Sequence, residues 1–296
     1  MVTGGAGFIG SHTVRALVDQ GARVSIVDNL CTGRRENIHP AASFYKMNTA
    51  DNALAAVFDQ ERPEYIYHFA FNVLVPRSVE NPLLDIDSIA GSLNLLCQAK
   101  RTGVTRIIFP SSGFIYGNNP HLPVKESEPF DPISPYAIAK YMVEQYLEFF
   151  RRNAGISYVI LRYAAVYGIG QVTGAMADYI RTLRKGGQAD MWGDGNKTRD
   201  YVYIEDVVRA NLLGLEVPAD HPFPVFNIGT GKETSLNVLY ALIAHLLGKE
   251  AQPHYHADRL GEQICYALDS TKAKTVLKWE PQVLLEEGVK NVIAQL

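Results

Sequence analysis

Three glycines within the first ten residues place the strongest constraint on this chain. Gly4, Gly7 and Gly10 follow Met1-Val2-Thr3 and lead directly into a helical pattern that starts at Phe8. Glycines at this spacing permit a turn tight enough for the backbone to approach a diphosphate. The helix beyond the turn offers free amides and a partial positive charge to it. The next β-branched run, Arg23–Asp28, ends in an acid 18 residues after Gly10. A carboxylate there can bind both hydroxyls of an adenosine ribose, and it repels a 2′-phosphate. NAD is therefore expected over NADP, with Asp28 outweighing the nearby Arg34 and Arg35. Only three residues precede the first glycine, fewer than a central strand usually has, so weak pairing is expected beside the loop.

Short β-branched runs recur at Tyr65–His68, Arg106–Phe109 and Tyr158–Arg162. Helical stretches lie between the runs, at Phe8–Gln20, Leu83–Arg101 and Pro135–Arg152. This alternation predicts an α/β fold, a Rossmann-type doubly wound parallel sheet. Residues 1–166 are expected to form the dinucleotide-binding domain, joined by segments from about 201–228. Beyond residue 166 the alternation weakens and turns such as Gly193-Asp194-Gly195 and Pro222-Phe223-Pro224 appear. Residues 167–296 are read mainly as a smaller C-terminal substrate-binding lobe.

Charge and composition remove several function classes. Against 28 basic residues stand 31 acidic ones, so no basic surface for nucleic acid is expected. No apolar run reaches the length of a membrane span, and no basic, then apolar leader is visible, so a cytoplasmic protein is expected. Cys31, Cys97 and Cys265 share no ligand spacing, which argues against a disulfide framework or a bound metal. Two helices are apolar beyond one stripe: Leu83, Leu84, Ile86, Ile89, Leu93 and Leu96 on one, Met142, Tyr146, Leu147, Phe149 and Phe150 on the other. A second apolar face on each suggests a homodimer interface.

Tyr136 and Lys140 stand four residues apart, on one helix face, just after the helix-starting pair Ser134-Pro135. A free tyrosine, with a pKa of about 10, is too weakly acidic to serve as a base at neutral pH. An ammonium one turn away favours the phenolate, and a shift of about 3 units corresponds to roughly 4 kcal/mol. Ser111-Ser112 come just after the strand that ends at Phe109, at the sheet edge where ligands bind.

This combination resembles the extended short-chain dehydrogenase/reductase family, over nearly the whole chain, and within it the nucleotide-sugar 4-epimerases. The likeness rests on the Gly4–Gly10 loop, Asp28-Asn29-Leu30, His68-Phe69-Ala70, Ser111-Ser112 with Tyr116-Gly117, and Ser134-Pro135-Tyr136 with Lys140. It continues through Leu161-Arg162-Tyr163, Val166-Tyr167-Gly168, Thr198-Arg199-Asp200-Tyr201-Val202, Asn227–Gly231, Arg259-Leu260-Gly261-Glu262 and Trp279-Glu280-Pro281. The resemblance implies that Gly4, Gly7, Phe8, Ile9, Asp28, Asn29 and Gly33 hold NAD, with Phe69, Ala70 and Phe71. It sets Asn48 and Thr49 by the adenine and adds Ser111, Tyr163, Tyr136 and Lys140 to the cofactor contacts. Ser112, Tyr136 and Lys140 would form the catalytic triad. Arg199 and Arg259 would clamp the phosphates of a UDP-sugar, Trp192 would lie near the uracil, and Tyr266 would gate the sugar pocket against a bulky N-acetyl group. His68 is read as structural. Three positions depart from the family's pattern: Asn48 for an aspartate, Ser88 for an asparagine, and Ala164-Ala165 for a pair whose asparagine touches the sugar nucleotide.

The activity implied is inversion of C4 in a UDP-hexose such as UDP-glucose or UDP-galactose, through a transient 4-keto sugar. Epimerisation of UDP-glucuronate or another nucleotide sugar stays open. Dehydration or decarboxylation of a nucleotide sugar is a second class, but Gly113-Phe114 stand after Ser112 where a dehydratase places its Asp-Glu pair. A non-catalytic NAD sensor is a third, and it would typically lack the Ser, Tyr and Lys set.

Overall fold

A computed structural model describes residues 1–72 and 74–295. The N-terminal half alternates strand and helix. It runs β1 (Val2–Thr3), α1 (Phe8–Asp19), β2 (Ser25–Asp28), β3 (Ser43–Lys46), α2 (Leu54–Glu61) and β4 (Tyr65–His68). Next come α3 (Val75–Glu80), α4 (Leu83–Thr102), β5 (Arg106–Ser112), α5 (Pro135–Ala154) and β6 (Ser157–Tyr163). The remainder holds β7 (Ala165–Tyr167), α6 (Ala175–Arg184), β8 (Asp190–Trp192), β9 (Thr198–Arg199), β10 (Tyr201–Tyr203) and α7 (Ile204–Leu213). It closes with β11 (Val225–Ile228), β12 (Thr234–Ser235), α8 (Leu236–Leu246), β13 (His254–His256) and α9 (Leu285–Gln295).

Seven strands make one parallel sheet in the order β11-β6-β5-β4-β1-β2-β3. The order reverses between β1 and β4, and at such a switch point the loops beyond the strand ends leave a crevice. Strand alternation sorts the core. Ile107 and Phe109 of β5 join a cluster with Leu95 of α4 and Val143 of α5. Ile108 joins the opposite cluster with Val14 of α1 and Val207 of α7. Although β1 has two residues, it is paired on both sides, Val2 with Ile26 and with Tyr67, so the expected weakness beside the loop is offset by its central place.

Helix ends obey local chemistry. The Ser134 hydroxyl accepts the Ala137 amide at 3.3 Å, Pro135 fills the first turn of α5, and Gly155 ends it in the left-handed region. The run 225–228 enters the main sheet as its outermost strand, beside β6. The run 201–203 does not; it pairs with β7 in a separate two-stranded sheet. A further core, with Met176, Tyr179, Leu183, Met191, Leu239 and Val289, holds the C-terminal lobe together. Among the described residues, no helix is long and apolar enough to cross a membrane.

Candidate active site

The glycine loop fits a dinucleotide through what it excludes. Gly4 has φ +70°, and a Cβ there would lie 2.7 Å from the Ala70 amide nitrogen and the Phe69 carbonyl carbon. A Cβ on Gly10 would fall on the Gly4 carbonyl oxygen. The loop, the start of α1 and the Phe69-Ala70 turn are therefore packed backbone to backbone. Gly7 caps α1 without a side-chain acceptor, and the first turn carries no acid. The leading amides, at Phe8 and Ile9, are thus open to a phosphate.

Asp28 is buried at the end of β2 and is aimed by the chain around it. Its carboxylate accepts the Ala6 amide at 3.0 Å and the Leu30 amide at 2.8 Å. A Cβ on Gly33 would stand 2.8 Å from the same carboxylate, so a glycine keeps that approach clear. The Asn29 side chain accepts the Cys31 amide at 3.0 Å and shapes the turn. Asn48 likewise accepts the Ala50 amide at 3.0 Å. The 48–51 loop is pinned to α4, where the Asn94 side chain donates to the Thr49 carbonyl at 2.8 Å and Gly91 leaves room for the Thr49 hydroxyl. Sequence reasoning missed Gly91 and Asn94; a glycine within a helix is the signal that marks such an approach.

His68 is structural in this arrangement. Its Nδ1 lies 2.7 Å from the Thr3 hydroxyl and its Nε2 lies 2.8 Å from the Ser92 hydroxyl. Ser92 donates to the Ser88 carbonyl at 2.7 Å, so it accepts from Nε2–H, and Nδ1 is left to accept from Thr3. Burial, reinforced by the Lys140 charge, pushes the imidazole down to about 3 and keeps it neutral. Ser88, which departs from the family's pattern, accepts the Asn72 amide at 2.9 Å.

The three catalytic candidates come from β5 and α5. Ser112 is the last residue of β5; its hydroxyl accepts the Phe114 amide at 3.2 Å and so retains its own proton to donate. Tyr136 lies in the first turn of α5, close enough to Ser112 for that hydroxyl to favour its phenolate. Burial pushes the Tyr136 hydroxyl up to about 12, against the pull of Ser112, with the Asp85 carboxylate adding to the rise. Lys140 is buried one turn on. Its Nζ donates to the Pro110 carbonyl at 2.7 Å and stands 3.9 Å from the Phe71 ring centre. Desolvation lowers it to about 7, opposed by Glu144. The expected lowering of the tyrosine by Lys140 is therefore absent here, because the ammonium is spent on a carbonyl and two aromatic faces. Burial therefore favours the protonated form of Tyr136 in this geometry.

Several cofactor candidates find other partners. The Tyr163 hydroxyl donates into the core, to the Asn211 side chain, so only its backbone stays at the strand end. The Ser111 hydroxyl is buried without a protein partner, as is Gln263 Oε1. Such orphaned groups fit a pocket built for a polar guest.

An aromatic wall faces Tyr136. Phe71 and Phe114 meet its ring edge-on at 6.2 and 6.3 Å, and Phe114 lies 5.9 Å from Tyr266. Tyr266 is fully buried and donates to the Tyr163 carbonyl at 2.7 Å. A Cβ on Gly113 would fall on the Tyr266 hydroxyl. Position 266 thus reaches the residue next to Ser112, a contact that the sequence did not show. Gly113→Ala is expected to displace Tyr266 and destabilise the chain by about 1–3 kcal/mol, the usual cost of overpacking. Adding Tyr266→Leu, which removes the hydroxyl together with the ring carbons that would lie 2.5 and 2.7 Å from the new Cβ, should recover part of it. Urea unfolding of the single and double variants checks this, and no recovery would mean that the clash lies elsewhere.

Arg199 and Arg259 are separated in role. One Arg199 nitrogen donates to the Thr198 and Gln263 carbonyls at 2.7 and 2.9 Å, which sets the guanidinium 5.9 Å from the Phe114 ring. Its other donors remain directed elsewhere. Arg259 stacks 3.8 Å over Trp192, whose ring also stacks on His256 at 4.6 Å. Trp192 thus packs against both Arg259 and His256, and a base lying near it would meet this cluster. Sequence reasoning also missed Asp85 and Glu144. Asp85 is a buried acid that accepts from Ser78 at 2.6 Å and from Asn72 at 3.2 Å.

Comparison with known proteins agrees with this geometry. A family model described as the NAD dependent epimerase/dehydratase family matches residues 1–229. The UDP-glucose 4-epimerase of Mycolicibacterium smegmatis is 37% identical over 99% of this chain and 96% of its own length. A crystal structure of UDP-glucose 4-epimerase with UDP-glucose, from Thermotoga maritima, is 44% identical with TM-score 0.95, covering 99% of this chain and 97% of that one. A Thermus thermophilus UDP-glucose 4-epimerase in complex with NAD is 33% identical with TM-score 0.94, over the same shares.

Proposed function

The chain belongs to the NAD-dependent epimerase/dehydratase family, and we propose that within it the chain inverts C4 of a UDP-hexose, interconverting UDP-glucose and UDP-galactose. The observation that carries this is the identity of the two residues after Ser112. A dehydratase would need groups that move protons there; this chain has Gly113, filled over by Tyr266, and the ring of Phe114 against Tyr136. Oxidation at C4 and its reversal then remain, with no chemistry at C6. The full-length likeness to UDP-glucose 4-epimerases supports the same reading.

The Gly4–Gly10 loop, Asp28 and the Phe69-Ala70 turn would hold NAD, which when bound supplies the acceptor and donor of hydride and a cationic ring. The chain's own residues handle the proton and the oxygen. Ser112 donates its free proton to the sugar O4 and holds it in line. Tyr136 takes the O4 proton on oxidation and returns it on reduction. A hydroxyl held near 12 by burial needs positive charge to serve as that base, and Lys140, one turn away, would supply it on turning its Nζ from the Pro110 carbonyl toward the tyrosine. Arg199 is the phosphate ligand, fixed through one nitrogen and free at the others. The sugar must turn over while its nucleotide stays bound, so this anchor is as necessary as the base.

Incubation with UDP-galactose and, separately, UDP-glucuronate tests the substrate. Conversion of the first to a product of equal mass at the UDP-glucose position is expected. Preferential conversion of the glucuronate, or loss of water or carbon dioxide, would replace this reading.

The working unit in this reading is a homodimer. Leu83 and Ile86 of α4 and Ile138 and Phe149 of α5 are 72%, 57%, 47% and 55% exposed on the single chain. A second copy would cover them. Phe149→Glu is expected to shift sedimentation from dimer toward monomer; an unchanged dimer would place the interface elsewhere.

A further inference from the structure

The pairing of β8 with β13 gathers three side chains that neither the cofactor nor the sugar site uses. His254 and His256 are alternate residues of one strand and so share a face. The parallel register sets His254 opposite Asp190 and His256 opposite Trp192. His256 Nε2 lies 2.7 Å from Asp190 Oδ1, and His254 Nδ1 lies 3.4 Å from the same oxygen. One donor atom from each of the three residues falls within 4.8 Å of the others. Asp190 and His254 are exposed and His256 is half-buried, so an ion can reach all three.

We propose that Asp190, His254 and His256 form a binding site for one divalent transition-metal ion of the zinc class. Two imidazoles and a carboxylate make a mixed set suited to zinc, nickel, cobalt or copper, and unsuited to calcium or magnesium. Bonds of about 2.0–2.2 Å to a tetrahedral ion put ligand atoms roughly 3.3–3.6 Å apart. Of the two distances to Asp190 Oδ1, 3.4 Å falls in that range and 2.7 Å just below it, and exposed side chains close the difference by small rotations. An ordinary surface ion pair accounts for one histidine beside Asp190. It does not account for two imidazoles converging on one carboxylate oxygen with ring centres 4.4 Å apart. Three protein ligands leave at least one position for water.

The site would brace the ribbon on which Trp192 and Arg259 stand. His256 is both a ligand and the stacking partner of Trp192, at 4.6 Å and 22°. The ion would fix His256, and through the stack it would fix the Trp192–Arg259 pair at the rim of the substrate lobe.

Calorimetric titration of the untagged full chain with zinc chloride tests the proposal. One equivalent is expected to bind, and His254→Ala and Asp190→Asn should each weaken it at least tenfold. His254→Gln, which keeps a polar side chain and loses the imidazole, should weaken it equally; matched unfolding midpoints in chelator show that the variants are folded. Copper(II) should quench the fluorescence of the parent at the same stoichiometry. Trp192→Phe should remove most of that quenching and leave copper binding in place, because the other tryptophan, Trp279, is buried elsewhere. Absence of stoichiometric binding, or equal affinity in the parent and both His254 variants, would overturn the proposal. So would quenching that survives Trp192→Phe.

Discussion

Replacing Tyr136 with phenylalanine is expected to lower turnover by about 10²–10⁴-fold, the usual contribution of a positioned acid–base group. The fold should be unaffected. The ring makes its edge contacts with Phe71 and Phe114 through carbon, and both survive removal of the hydroxyl. What is lost is the hydroxyl that stands beside Ser112. Retention of NAD should change little, because the glycine loop and Asp28 are built from other strands. The initial rate on UDP-galactose, beside the absorbance of the retained cofactor, separates the two effects. A loss smaller than tenfold would show that another group moves the proton.

The second large effect lies one helical turn beyond Lys140. Glu144 and Arg162 are almost fully buried, and the guanidinium donates to both carboxylate oxygens at 3.1 and 2.7 Å. Arg162 also donates to the Tyr116 hydroxyl at 2.7 Å, and Tyr116 donates to Asn227 at 2.9 Å. The network ties α5 to β6 and β11, and so fixes the helix that carries Tyr136 and Lys140. Glu144→Gln leaves the Arg162 charge buried without its counter-ion and is expected to destabilise the chain by about 3–5 kcal/mol. Glu144→Leu combined with Arg162→Met should cost less than either single change, since the apolar pair removes both desolvation penalties. Urea unfolding of Glu144→Gln, of the two single changes Glu144→Leu and Arg162→Met, and of their double variant decides it. A Glu144→Gln loss below about 1 kcal/mol would mean that solvent reaches the pair and screens it.

The parts of the site legible in the sequence were those with local spacing. The glycine triplet, the acid at the end of β2 and the Tyr136–Lys140 pair each depend on one element and its period. Elements without a strong period escaped. β3 has no buried residue and α3 is a short helix with one, so neither has the alternation or stripe that marks a strand or helix, while the stripe of α2, Leu54, Val57 and Phe58, spans little more than one turn. The strand expected to stop at Phe109 runs on to Ser112. β4 pairs with it only as far as Ile108, so Pro110 has a strand on one side and its missing N–H is tolerated. Long-range packing was illegible for a different reason. The stack of Arg259, Trp192 and His256, the Tyr163–Asn211 bond and the fit of Tyr266 to Gly113 join residues with no local relation in the chain. Resemblance could name Tyr163 and Trp192 as ligand contacts, but only packing shows that their polar or stacking surfaces are already engaged. The protonation of Tyr136 belongs to the same class, because burial and the direction in which Lys140 points set it together.

The central claim is inversion at C4 by removal and return of the same hydrogen, with Tyr136 and Ser112 handling only the hydroxyl. Conversion of UDP-galactose in deuterium oxide, with proton NMR of the product, tests it most directly. The account predicts UDP-glucose with a full complement of hydrogen at C4. Deuterium at C4, or a product altered at C6, would contradict it.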